Sequence, residues 1–232
     1  MVPGVLRTTV PILPLFTFLL ASPTSESVAA DTCPPTPPEM PPHPTSASPS
    51  PYPSPVPKLV VFDLDGTLWS PEMYELWGRG GAPFAPHPSG DVVDRAGTRV
   101  RLLGFSRELL RKLHADPAFA GTKVGISSRT DEPGWAQECM RKIEVGDEGT
   151  GAVKMKEVFE FEEIWKSDKA RHLENLRRDS GVEYSEMVFF DNESGNVRSV
   201  ERLGVTSVYT PKGMTEQHWN TALKRYAKLN SK

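Results

Sequence analysis

Four apolar residues, Leu59-Val60-Val61-Phe62, run directly into Asp63-Leu64-Asp65-Gly66-Thr67. No other stretch restricts the fold as much. An uninterrupted apolar run of this length reads as a strand buried on both faces, which is the habit of a parallel sheet covered by helices. Side chains two apart on an extended chain point the same way, so Asp63 and Asp65 lean toward one spot where the strand runs out. Ligands of open α/β sheets sit beyond the carboxyl ends of the strands. Two acids there can share a divalent cation, or divide the roles of nucleophile and acid/base. Gly66 permits close backbone approach, and Thr67 adds a hydroxyl. The plainer alternative is an ordinary Asp/Gly turn after a strand.

Downstream residues repeat the strand-then-polar pattern. Val92-Val93 and Thr98-Leu103 flank a glycine-containing turn and predict a hairpin, a candidate flap at the mouth of the site. A helix is expected from a Ser106 cap to Ala115, and a strand over Lys123-Val-Gly-Ile126 ends in Ser127-Ser128-Arg129-Thr130. Pro133 opens the next helix, with Trp135, Ala136, Cys139, Met140 and Ile143 on its buried side. A third strand is expected within 158–165, then a helix from Ser167 or Asp168 to Gly181. Met187-Val-Phe-Phe190 predicts a strand running into Asp191-Asn192-Glu193. A short helix, a strand over 205–209 and a helix capped by Thr215 follow. The alternation specifies an α/β class: a Rossmann-like parallel sheet with helices on both faces, a small hairpin insert and no large cap domain.

The first 57 residues are of another kind. Val10 to Leu20 is largely apolar but too short to span a bilayer. Arg7 gives a weakly positive start, and Ser27-Val28-Ala29 or Val28-Ala29-Ala30 suits a small-residue cleavage site. Residues 1–30 therefore read either as a cleaved signal or import peptide, placing the protein in the secretory route or an organelle, or as an unstructured extension of a cytoplasmic protein. Residues 31–57 carry 12 of the chain's 23 prolines and read as an extended linker. That linker is also a candidate docking site for a proline-recognising module. The folded domain is expected over 58–232. With 27 basic and 30 acidic residues, net −3, and no basic block, nucleic-acid binding has no electrostatic support. Cys33 and Cys139 make neither a disulfide framework nor a zinc site.

Four strand ends thus carry Asp63 with Asp65, Ser128, Lys169, and Asp191 with Asn192. Singly, each has a bland explanation as a helix-entry residue, a solvated lysine or a turn former. Together they suit phosphoryl chemistry, where charge neutralisation decides whether an anionic nucleophile can reach an anionic phosphate. A divalent cation on oxygen ligands supplies much of that charge, and Lys169 supplies more.

In order and spacing these residues resemble the haloacid dehalogenase superfamily and, more narrowly, its magnesium-dependent phosphatase family. The match rests on Val61-Phe-Asp63-Leu-Asp65-Gly-Thr-Leu-Trp69, Ser128-Arg129-Thr130, Lys169, Met187-Val-Phe-Phe-Asp191-Asn192-Glu193 and Arg202-Leu-Gly-Val-Thr206, and covers residues 58–230. The resemblance implies a Mg²⁺-dependent phosphomonoester phosphatase with Asp63 as nucleophile and Asp65 as acid and base. Ser128 and Lys169 would hold the phosphoryl group, with Arg129 a substrate contact. It also implies phosphotyrosine or sugar-phosphate substrates, on a small molecule or a phosphoprotein. The implied metal ligands are the Asp63 carboxylate, the Asp65 main-chain carbonyl and a residue of the last motif.

Two positions depart from the narrower pattern. An aromatic residue is common where Gly66 stands, and a second aspartate where Asn192 follows Asp191. Related carboxyl-terminal-domain phosphatases use Asn at that place, so Asn192 is carried as the direct ligand and Asp191 as its support, with Asp191 the alternative. Rival readings are dehalogenation or phosphotransfer on the same fold, and a non-catalytic binding module. Asp65 argues against the first of these, and the intact set of four motifs argues against the last.

Overall fold

The computed structural model describes residues 50–146 and 153–231. The expected targeting segment over 1–30 and most of the 31–57 linker lie outside the described residues. Packing begins upstream of Pro57. The Tyr52 ring lies 4.7 Å from that of Phe119, and its hydroxyl donates to Asp116 Oδ2 at 2.9 Å.

Five strands form one parallel sheet: β1 (Leu59–Phe62), β6 (Lys123–Ser128), β7 (Phe161–Ile164), β8 (Met187–Asp191) and β9 (Thr206–Tyr209), in the order β7-β6-β1-β8-β9. β1 is central and wholly buried. Its alternation splits the interior into two layers. Val60 and Phe62 face the cluster containing Leu109 and Leu110 of α1 (Ser106–Ala115), Cys139 and Met140 of α2 (Pro133–Lys142), and Trp219 and Leu223 of α5 (Glu216–Asn230). Leu59 and Val61 face Leu173 and Leu176 of α3 (Lys169–Ser180) and Val200 of α4 (Ser194–Glu201). Each such side chain contributes roughly 1.5–3 kcal/mol by leaving water. Phe62 and Phe190 stack with centroids 5.3 Å apart, which locks β1 to β8.

The pairing register places the site. Phe62 lies opposite both Ile126 and Phe190, so Asp63, Ser127 and Asp191 stand side by side at the carboxyl end of β1. The Asp63 N–H still bonds the Phe190 carbonyl at 2.9 Å. The chain then folds back, with the N–H groups of Thr67, Leu68 and Trp69 all reaching the Leu64 carbonyl.

The insert between β1 and α1 is a second sheet of four short strands, β2 (Trp69–Ser70), β3 (Ala85–Pro86), β4 (Val92–Val93) and β5 (Arg99–Leu102), in the order β2-β5-β4-β3. It contains the expected hairpin as the antiparallel β4–β5 pair. Buried Asp91 pins it to α1, taking Arg99 through two nitrogens at 2.5 and 2.8 Å and Arg107 at 2.5 Å.

Some boundaries differ from expectation. Phe105, not Ser106, caps α1. The Leu103 carbonyl already holds the Ser106 N–H, so the turn ends one residue earlier and the buried Ser106 hydroxyl has no hydrogen-bond partner among the described residues. The third strand does fall within 158–165, as the four-residue β7, just after a 3₁₀ turn over Met155–Val158. The Asp168 cap, the left-handed Gly181 terminus (φ +68°) and the Thr215 cap are as anticipated.

Candidate active site

The four motifs meet beyond the carboxyl ends of β1, β6 and β8, at an open cleft of about 240 Å³. Asp63, Asp65, Ser128, Arg129, Lys169 and Asn192 all line it. Asp191 does not, and lies fully buried behind it.

Lys169 is the hub. It is the first residue of α3, and its side chain is 1% exposed. Its Nζ lies 2.6 Å from Asp63 Oδ1 and 3.2 Å from Asp191 Oδ2, and it donates as well to the Ser127 carbonyl. A buried ammonium requires such company, since desolvating it unpaired would be prohibitive. Asp191 is saturated in turn by Lys169, the Glu193 N–H at 2.7 Å and the Asn196 amide at 3.1 and 3.2 Å. Asp191 therefore orients the lysine, while Asn192, the next residue, turns toward the cleft.

A single hydroxyl ties the two sides together. Thr67 Oγ1 accepts the Asn192 backbone N–H at 2.9 Å, and its own proton can serve Asp63 Oδ2 at 3.2 Å or Asn192 Oδ1 at 3.4 Å. One carboxylate oxygen and one amide oxygen are thereby gathered at one point. Among the described residues no three His, Cys, Asp or Glu side chains group as a cation site. Asp63 Oδ2 and Asn192 Oδ1, which share the Thr67 hydroxyl, are both hard oxygens of the kind Mg²⁺ accepts.

The acids are unequal. Burial, reinforced by the charge of Asp63, pushes the Asp65 carboxyl up to about 6, against the pull of the Trp69 indole N–H that donates to its Oδ1 at 2.6 Å. Burial and then Asp63 also raise Asp191 well above the usual carboxylate range, with Lys169 opposing.

Ser128 is buried at the wall, where its hydroxyl oxygen stands 3.4 Å from the Thr130 N–H. Arg129 lies along the rim, donating to Asn196 Oδ1 at 3.2 Å and approaching Glu193 at 3.9 Å. Lys166 pairs with Asp131 there.

Several lining residues were not anticipated. Glu72, raised to about 6 chiefly by burial and next by Asp65, and Tyr74 come from the turn after β2. The β4–β5 hairpin, expected as the flap, contributes no lining residue. Asn196, Glu72 and Tyr74 left no signal in the sequence pattern.

The chain is similar to known proteins over most of its described residues. A model of the family described as Acid Phosphatase matches residues 55–229. Magnesium-dependent phosphatase 1 of Homo sapiens is 32% identical over 175 residues, covering 75% of this chain and 90% of that protein. A HAD-like hydrolase superfamily protein of Schizosaccharomyces pombe is 36% identical over 154 residues, covering 65% and 83%. Among solved structures, a HAD-superfamily hydrolase from Ehrlichia chaffeensis superposes with a TM-score of 0.47 at 11% identity, over 75% of this chain and 98% of that one. The chain belongs to the acid phosphatase family of haloacid dehalogenase-like hydrolases and is a phosphatase.

Proposed function

We propose that the protein is a Mg²⁺-dependent phosphomonoester phosphatase that works through an aspartyl-phosphate on Asp63. The observation that carries this reading is the placement of Asp63. One of its oxygens is held by buried Lys169 and the other stands at the Thr67 hydroxyl, beside an acid raised to about 6. The relative in Homo sapiens, named for magnesium dependence, supports the choice of metal.

In the first step an Asp63 carboxylate oxygen attacks phosphorus as the bond to the leaving oxygen breaks, and Asp65 gives that oxygen its proton. In the second, water attacks the phosphorus of the aspartyl-phosphate and passes its proton to Asp65. The bond from phosphorus to Asp63 breaks, releasing inorganic phosphate. An acid of pKa about 6 suits both directions near neutrality. Lys169 and the Ser128 hydroxyl hold the phosphoryl oxygens. The Asp63 carboxylate, the Asp65 main-chain carbonyl and the Asn192 amide oxygen would hold Mg²⁺, which when bound offsets the charge of the phosphoryl group. An open cleft without a large cap suits phosphotyrosine-type as well as sugar-phosphate esters.

The test is phosphate release from p-nitrophenyl phosphate by the full chain, with Mg²⁺, with chelator, and as Asp63→Asn. Turnover is expected only in the first case. Turnover that survives both chelation and the substitution would overturn the mechanism.

A further inference from the structure

A carboxylate offers a cation two equivalent oxygens, whereas a carboxamide offers one. Asn192 can therefore serve as a ligand in only one of its two amide orientations, and something must select that orientation. On one side stands Thr67, whose hydroxyl is bonded to the Asn192 backbone N–H at 2.9 Å and lies 3.4 Å from Oδ1. On the other side stands Gly66. A Cβ placed there would lie 2.2 Å from Asn192 Nδ2 and 2.9 Å from its Cγ. The volume that any other residue fills is thus occupied by the amide nitrogen. Gly66 also has φ +71°, a conformation in which glycine is unstrained.

We infer that Gly66 is a positioning residue for Asn192, the pair acting as a unit. The nitrogen edge of the carboxamide lodges against the bare glycine, and the oxygen edge is thereby presented beside Thr67 and Asp63. This inference rests on the reading of the cleft as a Mg²⁺ site. It explains why glycine and asparagine occur together here, since the carboxamide in this position and a side chain at residue 66 compete for the same space.

The experiment is calorimetric titration of Mg²⁺ into the full chain, without substrate, for the wild type, Gly66→Ala, Asn192→Asp and the double variant. Gly97→Ala is the control for backbone strain alone, because Gly97 has φ +84° and open space where its Cβ would be. Gly66→Ala is expected to weaken Mg²⁺ about tenfold with Asn192 present, and by less than about threefold in the Asn192→Asp background, because a carboxylate presents an oxygen whichever way it turns. Gly97→Ala is expected to leave binding unchanged. An unchanged Mg²⁺ affinity in Gly66→Ala, or the same loss in both backgrounds, would overturn the pairing. Failure of the wild type to bind Mg²⁺ would remove the metal reading itself and the pairing with it. If Gly66→Ala does not fold, thermal melting of Gly66→Ala/Asn192→Ala against Gly97→Ala/Asn192→Ala decides. Equal melting supports a direct contact between the two side-chain positions, and a markedly lower value for the first refutes it.

Discussion

Lys169 Nζ lies 2.6 Å from Asp63 Oδ1, both side chains are buried, and the two residues are 106 positions apart in the chain. Removing the cation leaves Asp63 and Asp191 facing each other without compensation. Lys169→Met is therefore expected to destabilise the domain by about 3–5 kcal/mol as well as abolish turnover. Asp63→Asn should abolish turnover at a much smaller cost, because Asp191 and the Ser127 carbonyl still hold the lysine. Urea melts of the two variants, read beside their activities, check the contrast.

Trp69 donates its indole N–H to Asp65 at 2.6 Å and so favours the charged carboxylate. Trp69→Phe removes that bond and raises the Asp65 pKa further. Protonation of the leaving oxygen requires the acid form, so the alkaline limb of the pH–rate profile is expected to move to higher pH. The measurement is kcat/KM across pH 5–9 for phenyl phosphate, whose more basic leaving oxygen needs the proton, and a limb that stays put would count against Asp65 as the proton donor.

His172 is buried, with Nδ1 3.0 Å from the Ser127 hydroxyl. Burial and then the charge of Lys169 lower its pKa from 6.5 to about 4. The unfolded chain binds the extra proton between those values, so the contribution to stability is fully present above 6.5 and is lost as pH falls toward 4. The full effect is on the order of 3 kcal/mol. Between pH 7 and pH 5 the wild type is expected to lose more stability than His172→Gln, whose side chain does not titrate. Equal losses would contradict the assignment.

Asp91 holds Arg99 and Arg107, and none of the three lines the cleft. Asp91→Asn is expected to cost about 2 kcal/mol in a denaturant melt while leaving kcat/KM within about twofold of wild type. A large loss of activity at preserved stability would give the hairpin a role in the site that its position does not suggest.

The parallel sheet was legible because burial on both faces leaves a chemical trace in its central strands. The runs at 59–62 and 187–190 admit few other interpretations. Asp63, Asp65, Ser128, Lys169 and Asn192 were legible as a set for a related reason. Parallel strands send their carboxyl ends to one edge, so polar residues directly after apolar runs must converge. The short β7 was harder to read, since its residues are only half-buried and its alternation is weak.

By itself, then, the sequence determined the α/β layering and the identity of the chemical groups beyond β1, β6 and β8, because both follow from local pattern and chain order. Only the tertiary structure decided which of those groups are saturated by neighbours and which face the cleft. Asp191 and Asn192 are adjacent, yet one is saturated by Lys169, Glu193 and Asn196 and the other faces the cleft. The departure at residue 66 acquires its meaning only when Asn192 is found in the space a Cβ would occupy. Glu72 and Tyr74 reach the rim through a turn whose direction no periodicity encodes. These relations depend on which atoms exclude or saturate one another across distant segments, and local sequence pattern carries no record of that.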